Sequence, residues 1–377
     1  MTPDEHAIEL HAIELHEVAL PLVRPFRTSF GEERDKRAIL VRVDAGEAEG
    51  WGECVASQEP RYSEEWLEGA WVAIQSFLGP SLMGGGPVVR PEEVGYRLEW
   101  VRGHRMAKAA LEAAVLDAWL RAAGIALSEH LGAVRARVAC GVSVGIAPTV
   151  DALLEEIHGY LAKGYQRVKL KIEPGRDLDV ARAVREALPE VALSVDANAA
   201  YSLSDVSLFE GLDELGLLMI EQPLDEEDLL DHAALQGRIR TPICLDESIR
   251  SARDAGAAIR LEACRVINIK PGRVGGLMEA KRVHDVAQLS GIPVWIGGML
   301  ETGVGRAANL ALAALPGVAF PGDTSASDRY FGEDITEPFV LDADGTMAVP
   351  TGPGIGVRPR ADRLEACTVR TAAIRAP

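Results

Sequence analysis

The chain predicts an α/β fold, a modified TIM barrel of (β/α)7β form, with an α+β N-terminal capping domain that the C-terminal segment completes. Three observations predict it. After about Val138, eight short apolar runs (VACGVSV, QRVKLKI, VALSVD, LGLLMIE, TPICLD, CRVINIK, PVWIGG and VAF) follow one another, all but the last followed by room for a helix. Repeated βα units imply parallel strands, and eight of them close into a barrel. Ionisable residues recur at the ends of these runs, one βα unit apart. Residues 1 to about 130 instead read as strands followed by helices.

The first unit opens with a tandem repeat, HAIEL, at His6–Leu10 and His11–Leu15; with His16 it places three histidines five residues apart. A spacing of five suits neither one helix face nor one strand face, so no metal site is expected there. Two strands, IELHEVALPL and RAILVRV, flank the segment RPFRTSFGEERDK, which reads as a mobile hairpin tip. A further strand at GWGECVAS precedes helical patterning over residues 64–78 and a long Ala-rich helix over 106–122. The expected organisation is a capping domain over 1–135, a barrel over 136–330, and a segment over 331–377 that packs back on the cap.

Composition narrows the function classes. The 377 residues are 47% hydrophobic and 25% charged, the proportions of a globular chain, with a net charge of −18 that argues against nucleic-acid or anionic-membrane binding. No window approaches the roughly 18–20 apolar residues of a membrane span. The acidic start MTPDEHAIELHAIELHE is no secretory signal, and five cysteines without a CxxC pair read as reduced, mostly buried thiols of a cytoplasmic protein.

The chemistry lies at the run ends. Lys169 and Lys171 sit in RVKLKI, Asp196 ends ALSVD, Glu221 ends LLMIE, Asp246 ends ICLD and Lys270 ends RVINIK. From Lys171 onward the separations are 25, 25, 25 and 24 residues, one βα unit each. All therefore fall on the C-terminal rim, where barrels build their sites. Strand alternation puts Val168, Leu170 and Ile172 against the helices and both lysines in the barrel mouth. Three carboxylates with no His or Cys beside them suit a hard cation, Mg²⁺ by choice. Mutual repulsion, the cation and burial are expected to depress the lysine pKa values. The pattern points to abstraction of a proton α to a carboxylate, with the metal stabilising the enediolate. Singly, such an acid is an ion-pair partner or helix cap, and two lysines in a strand are a solvated edge. Six such groups on five consecutive strands are not explained that way.

At this point the sequence resembles the enolase superfamily over nearly its whole length, and the KxK of VKLKI with NIKPG resembles its muconate-lactonising group. No histidine base stands near PVWIGGML, so the mandelate-racemase branch is not indicated. The strings PLVRPFRTSFG, GHRMAKAALEAAVLDAW, SVDANAAY, IEQPL, LDESI, NIKPGRVGGL and PGDTSASDRYFGEDI are similar to o-succinylbenzoate synthases and N-succinylamino acid racemases. The resemblance implies Asp196, Glu221 and Asp246 as ligands of Mg²⁺, for which Mn²⁺ or another divalent cation substitutes. It implies Lys171 and Lys270 as the acid/base pair on opposite faces of the substrate carbon, and Lys169 as the helper stabilising the enolate. Asn198 is expected to hydrogen-bond the groups around the metal ligands or the substrate carboxylate. Ser143, Gly298, Met299 and Leu300 are expected to line the pocket, with amides near Gly298 receiving the succinyl carboxylate. Phe26 and residues 57–62 are expected to close over the mouth, Phe26 having the alternative of an interdomain core position.

Two reactions share such a site. In the synthase, Lys171 removes a proton, a hydroxyl leaves, and Lys270 stays a cation; the product, o-succinylbenzoate, serves menaquinone synthesis. In the racemase the two lysines alternate. Arg273, three residues after Lys270, resembles racemase-competent members, where a guanidinium eases deprotonation of that lysine; pairing with Asp246 or Glu247 is the alternative. The reading leans to racemase with synthase activity alongside. A dipeptide epimerase is the runner-up, although its DxD is represented here only by Asp323, and a non-catalytic metal scaffold would leave both lysines dispensable. The implied partners are a small-molecule carboxylate substrate and further copies of the chain, as a dimer or octamer.

Overall fold

A computed structural model describes residues 7–375. The cap begins with β1 (Ala12–Thr28), β2 (Gly31–Ala45) and β3 (Ala48–Cys54), an antiparallel meander. Its two faces are both buried. Ala38 and Leu40 of β2 join the core shared with the barrel, while Ile39, Val41 and Val43 join the core beneath the cap helices. Gly50 and Gly52 of β3 lie directly on the helix Arg105–Ala123. A Cβ at either would stand 2.0 Å from a helix carbonyl oxygen, so only glycine permits this approach.

The segment expected to be a mobile tip is strand almost to its end. Its pairing runs out to Thr28↔Gly31, with an irregularity between Pro21 and Phe26 where the register shifts. Four residues on β1 against one on β2 form an extended bulge, which bends the hairpin. Of the tandem repeat, His6 lies outside the described residues. Ile8 and Leu10 of the first copy are buried in the same cap core as Ile13 and Leu15 of the second, and Ile8 bridges Val88.

β4 (Arg137–Ala139) leads into the barrel, whose parallel strands are β5 (Gly141–Val144), β6 (Arg167–Lys171), β7 (Leu193–Asp196), β8 (Ile220–Glu221), β9 (Ile243–Leu245), β10 (Val266–Ile269) and β11 (Val294–Ile296), neighbours in chain order. The expected eighth strand, VAF, is not a regular strand. The chain over 318–322 closes the ring by isolated parallel bridges, Val318 to Val294 on one side and Gly322 to Cys140 on the other. Its three apolar residues are followed at once by Pro321, which has no N–H to continue a ladder. β12 (Thr346–Ala348) pairs with β4, and β13 (Thr368–Arg375) adds to the cap sheet beside β1.

Alternation sorts the barrel residues. Val168, Leu170, Leu193, Val195, Ile220, Ile243, Leu245, Ile267 and Ile269 point out into the large helix-covered core. Met219, Cys244, Val266 and Trp295 pack together as a separate cluster inside the ring. This inner plug puts the polar residues of the same inward rows above it, at the rim. No helix of the described residues is long and apolar enough to cross a membrane. All five cysteines are free and buried.

Candidate active site

Strand register assembles the rim. Ser143 pairs with Lys169 and Lys169 with Ser194; one step of the alternation higher, Lys171 pairs with Asp196 and Asp196 with Glu221. Asp246 and Lys270 each follow their strand by one residue. The chain turns sharply just beyond these ends: Asn198, Ala199, Gln222 and Leu300 all have positive φ, from 36° to 60°. Such backbone is unfavourable for non-glycine residues and clusters where a site dictates conformation.

The three carboxylates are fully buried, and cations hold them. Lys169 Nζ lies 2.8 Å from Glu221, 3.1 Å from Asp196 and 2.8 Å from Asp323. Lys171 Nζ donates to Asp196 at 2.6 Å and to Asn198 Oδ1 at 2.7 Å. Lys270 Nζ donates to Asp246 at 2.6 Å and to the Tyr62 hydroxyl at 3.1 Å, over whose ring it sits. Arg273 pairs with the other oxygen of Asp246 and donates to the carbonyls of Ile249 and Asn268. The direct Arg273–Asp246 pair is thus the arrangement present; Lys270 and Arg273 share one carboxylate. Asn198 donates to Glu247 at 2.8 Å, and Asn268 to Glu221 at 2.7 Å.

The surrounding charges act strongly on Lys169 and Lys270. Burial works to lower the pKa of Lys169, but Asp323, Glu221 and Asp196 overcome it and hold the ammonium well above its ordinary range. Lys270 is likewise raised against its burial, by Tyr62 first and then by Glu247, Glu221 and Asp196. Asp196 is held low despite burial, by Lys171 and Lys169. At Lys169 attraction to carboxylates outweighs desolvation and the repulsion of Lys270.

The same attraction governs the proposed ligands. Among the described residues no three His, Cys, Asp or Glu side chains are gathered so as to hold a metal ion; the ammonium groups take up the carboxylate oxygens. In donor chemistry the set still fits a hard divalent cation: three buried, oxygen-only groups on adjacent strand ends, with lysines as the exchangeable counter-charges.

A cavity of about 400 Å³ opens above the rim and is lined by Lys169, Lys171, Lys270, Asn198, Ser143, Gly298, Met299, Leu300 and Phe26 together. Ser143 Oγ is buried there without a hydrogen-bond partner. The cap supplies the roof. Residues 57–59, Arg61 and Tyr62 line it; Arg61 donates to the Phe30 carbonyl, and the Tyr62 and Phe30 rings lie 6.3 Å apart. Phe26 is half-buried and lines the cavity, with the Arg329 guanidinium 6.0 Å from its ring centre.

Several contributors escaped the sequence. Arg167, fully buried, donates to Asp323 and to the Pro321 carbonyl, and with Lys169 it flanks the Trp295 ring at 4.6 and 4.9 Å. The alternation that turned Lys169 and Lys171 inward also turns Arg167 inward, which was the available signal. Asn268 stands in the same relation to Lys270. Asp323 was marked only as a partial match to an epimerase DxD, and nothing in the sequence pointed to its pairing with Arg167 and Lys169.

Comparison with known proteins agrees with this architecture. The family described as mandelate racemase / muconate lactonizing enzyme, N-terminal domain, matches residues 12–132, and the enolase C-terminal domain-like family matches 152–363. Cap, barrel and rim thus define an enolase-type enzyme. An N-succinylamino acid racemase from Amycolatopsis sp. is 55% identical over 93% of this chain and 95% of its own. An o-succinylbenzoate synthase from Geobacillus kaustophilus is 50% identical over 93% of each. The crystal structure of an enolase superfamily member from Listeria innocua superposes with a TM-score of 0.93 at 41% identity, covering 98% of this chain and 100% of that one. The chain belongs to the enolase superfamily, in the family of N-succinylamino acid racemases and o-succinylbenzoate synthases. Enzymes of this family depend on a divalent metal ion.

Proposed function

We propose that the protein is a Mg²⁺-dependent N-succinylamino acid racemase with o-succinylbenzoate synthase activity alongside. The observation that carries the reading is the placement of Lys171 and Lys270. They end β6 and follow β10, the second and sixth staves of an eight-part ring, and line one cavity from opposite walls. A carbon between them has one lysine on each face. In racemisation one neutral lysine takes the α-proton as the C–H bond breaks, and the other, as ammonium, returns a proton to the opposite face. In dehydration Lys171 takes the proton and passes it to the departing hydroxyl, which leaves as water, while Lys270 remains a cation. Lys169 holds positive charge beside the carboxylate on which negative charge develops. Asp196, Glu221 and Asp246 would hold the cation, whose charge offsets that of the substrate carboxylate.

The relatives carrying each name support both activities. The epimerase alternative is disfavoured by Asp323, each of whose oxygens already faces a cation of this chain, Arg167 or Lys169. Free, buried cysteines support a cytoplasmic setting, and exposed Phe77 and Trp100 in edge contact on the cap support self-association as a homo-oligomer.

The test is proton NMR of N-succinyl-L-phenylalanine in D₂O with Mg²⁺, on wild type and Lys270→Ala. Wild type should lose the α-proton signal while the D-enantiomer grows. The variant should still exchange one enantiomer without racemising it. Absence of exchange by wild type, with rapid o-succinylbenzoate formation, would mean a dedicated synthase. Calorimetric Mg²⁺ binding that survives Glu221→Gln undiminished would remove that residue from the ligand set.

A further inference from the structure

Lys36 is a buried cation that no carboxylate neutralises at close range. It lies on β2 in the row of Ala38 and Leu40, the face turned to the barrel, and is 3% exposed. It also lines the cavity. Its Nζ donates to the Met299 carbonyl at 2.7 Å. Seven cationic side chains line that cavity, and the other six each have a carboxylate oxygen within 4.0 Å. The cap arginines Arg34, Arg37 and Arg61 are held by Glu32, Glu17 and Glu59, and the rim lysines by the rim carboxylates. Among the described residues Lys36 has no such partner.

Its charge is felt by the Glu53 carboxyl on the neighbouring strand, which lies beyond ion-pair distance. Glu53 is committed elsewhere: it accepts from the Thr302 N–H and hydroxyl and from the Gly305 N–H. An ammonium has three donors, and only one is used here. A charge taken out of water without a close partner is costly, and such groups persist where a ligand completes them.

We propose that Lys36 binds the distal carboxylate of the acyl group, so that a charge on the cap selects an N-(ω-carboxyacyl) substrate over an uncharged N-acyl one. This rests on the reading of an N-succinylamino acid substrate. The α-carboxylate belongs at the rim, among Lys169, Lys171 and the cation. A second carboxylate on the same molecule, carried toward the cap past Met299, meets Lys36. The Met299 carbonyl fixes the ammonium against the 298–300 loop, so the charge is oriented before the ligand arrives.

The experiment compares N-succinyl-L-phenylalanine with N-butanoyl-L-phenylalanine, in which a methyl replaces the distal carboxylate. Wild type, Lys36→Met and Lys36→Arg are each loaded with Mg²⁺, and both calorimetric Kd and racemisation kinetics are read. Lys36→Met should raise Kd and KM for the succinyl compound by about 10- to 100-fold. It should leave both within about twofold for the butanoyl compound, and Lys36→Arg should keep most of the preference. Equal weakening of both ligands would mean that Lys36 only tethers the loop, and an unchanged succinyl Kd would mean that it does not meet the carboxylate; either overturns the proposal. If wild type binds the succinyl compound without turning it over, the functional reading fails, while the Kd comparison still decides Lys36. If wild type binds neither compound, both fail.

Discussion

Lys169 and Asp323 form a buried pair across the barrel seam, Nζ to Oδ2 2.8 Å, one from the second strand and the other from the stretch that replaces the eighth. Arg167 holds the second oxygen of Asp323, which is kept well below the usual carboxylate range by those two cations despite its burial. The pair therefore helps to fix the position of the Lys169 ammonium.

Asp323→Asn keeps the shape and removes the charge. Breaking a buried pair from one side costs about 3–5 kcal/mol. Urea denaturation should show a loss of that order, and kcat should fall with it because Lys169 is no longer held. Wild-type kcat in a folded Asp323→Asn protein would show that Lys169 needs no such support.

Gly297→Ala addresses placement alone. A Cβ there would stand 2.3 Å from Asn268 Oδ1 and 2.8 Å from Lys270 Cε, so both must move. A shift of about 1 Å in a catalytic group costs on the order of 100-fold in rate. Proton exchange by the Lys270 face should fall by about that factor, with circular dichroism unchanged. Equal loss on the Lys171 face would point to general collapse of the rim.

Tyr62→Phe removes the hydroxyl that joins the roof to Lys270 and Asp246. A hydrogen bond to a charged group is worth about 1.5–3 kcal/mol. Exchange of the enantiomer that Lys270 deprotonates should change by about tenfold or more, while exchange by Lys171 holds steady. Identical effects on the two enantiomers would assign Tyr62 to closure of the roof alone.

Glu112 ties the cap helix to the barrel by accepting from the Leu277 and Met278 N–H groups. Burial pushes its pKa up from 4.5 to about 7, against those hydrogen bonds. The folded state therefore keeps a proton that the unfolded state releases near pH 4.5, so this group's contribution is greatest in acid and is lost as pH rises to about 7. The stability of wild type relative to Glu112→Gln should fall between pH 5 and 8 by up to about 3 kcal/mol. A difference independent of pH would mean that Glu112 is ionised throughout.

The rim was legible because two regularities coincide in it. Alternation within RVKLKI fixes which residues face in, and the recurrence every 24 or 25 residues fixes which strand end each charge occupies. Both depend only on local geometry. What was not legible depends on contacts between distant segments. Asp323 owes its role to Arg167 and Lys169, more than 150 residues earlier. Lys36 sits in RPFRTSFGEERDK, which read as a mobile hairpin tip; the barrel beneath β2 buries it. The raised pKa values of Lys169 and Lys270 depend on how closely charged partners approach, which spacing along the chain does not give.

The pairing of β13 with β1 has a mechanical consequence. Arg375 faces Ala12 at one end of the ladder, and Thr368 faces Val18 at the other. Tension applied at residues 12 and 375 would open these hydrogen bonds in succession, like a zipper, instead of loading them together in shear. The seam yields at low force, and the barrel carries no load until the last pair has parted.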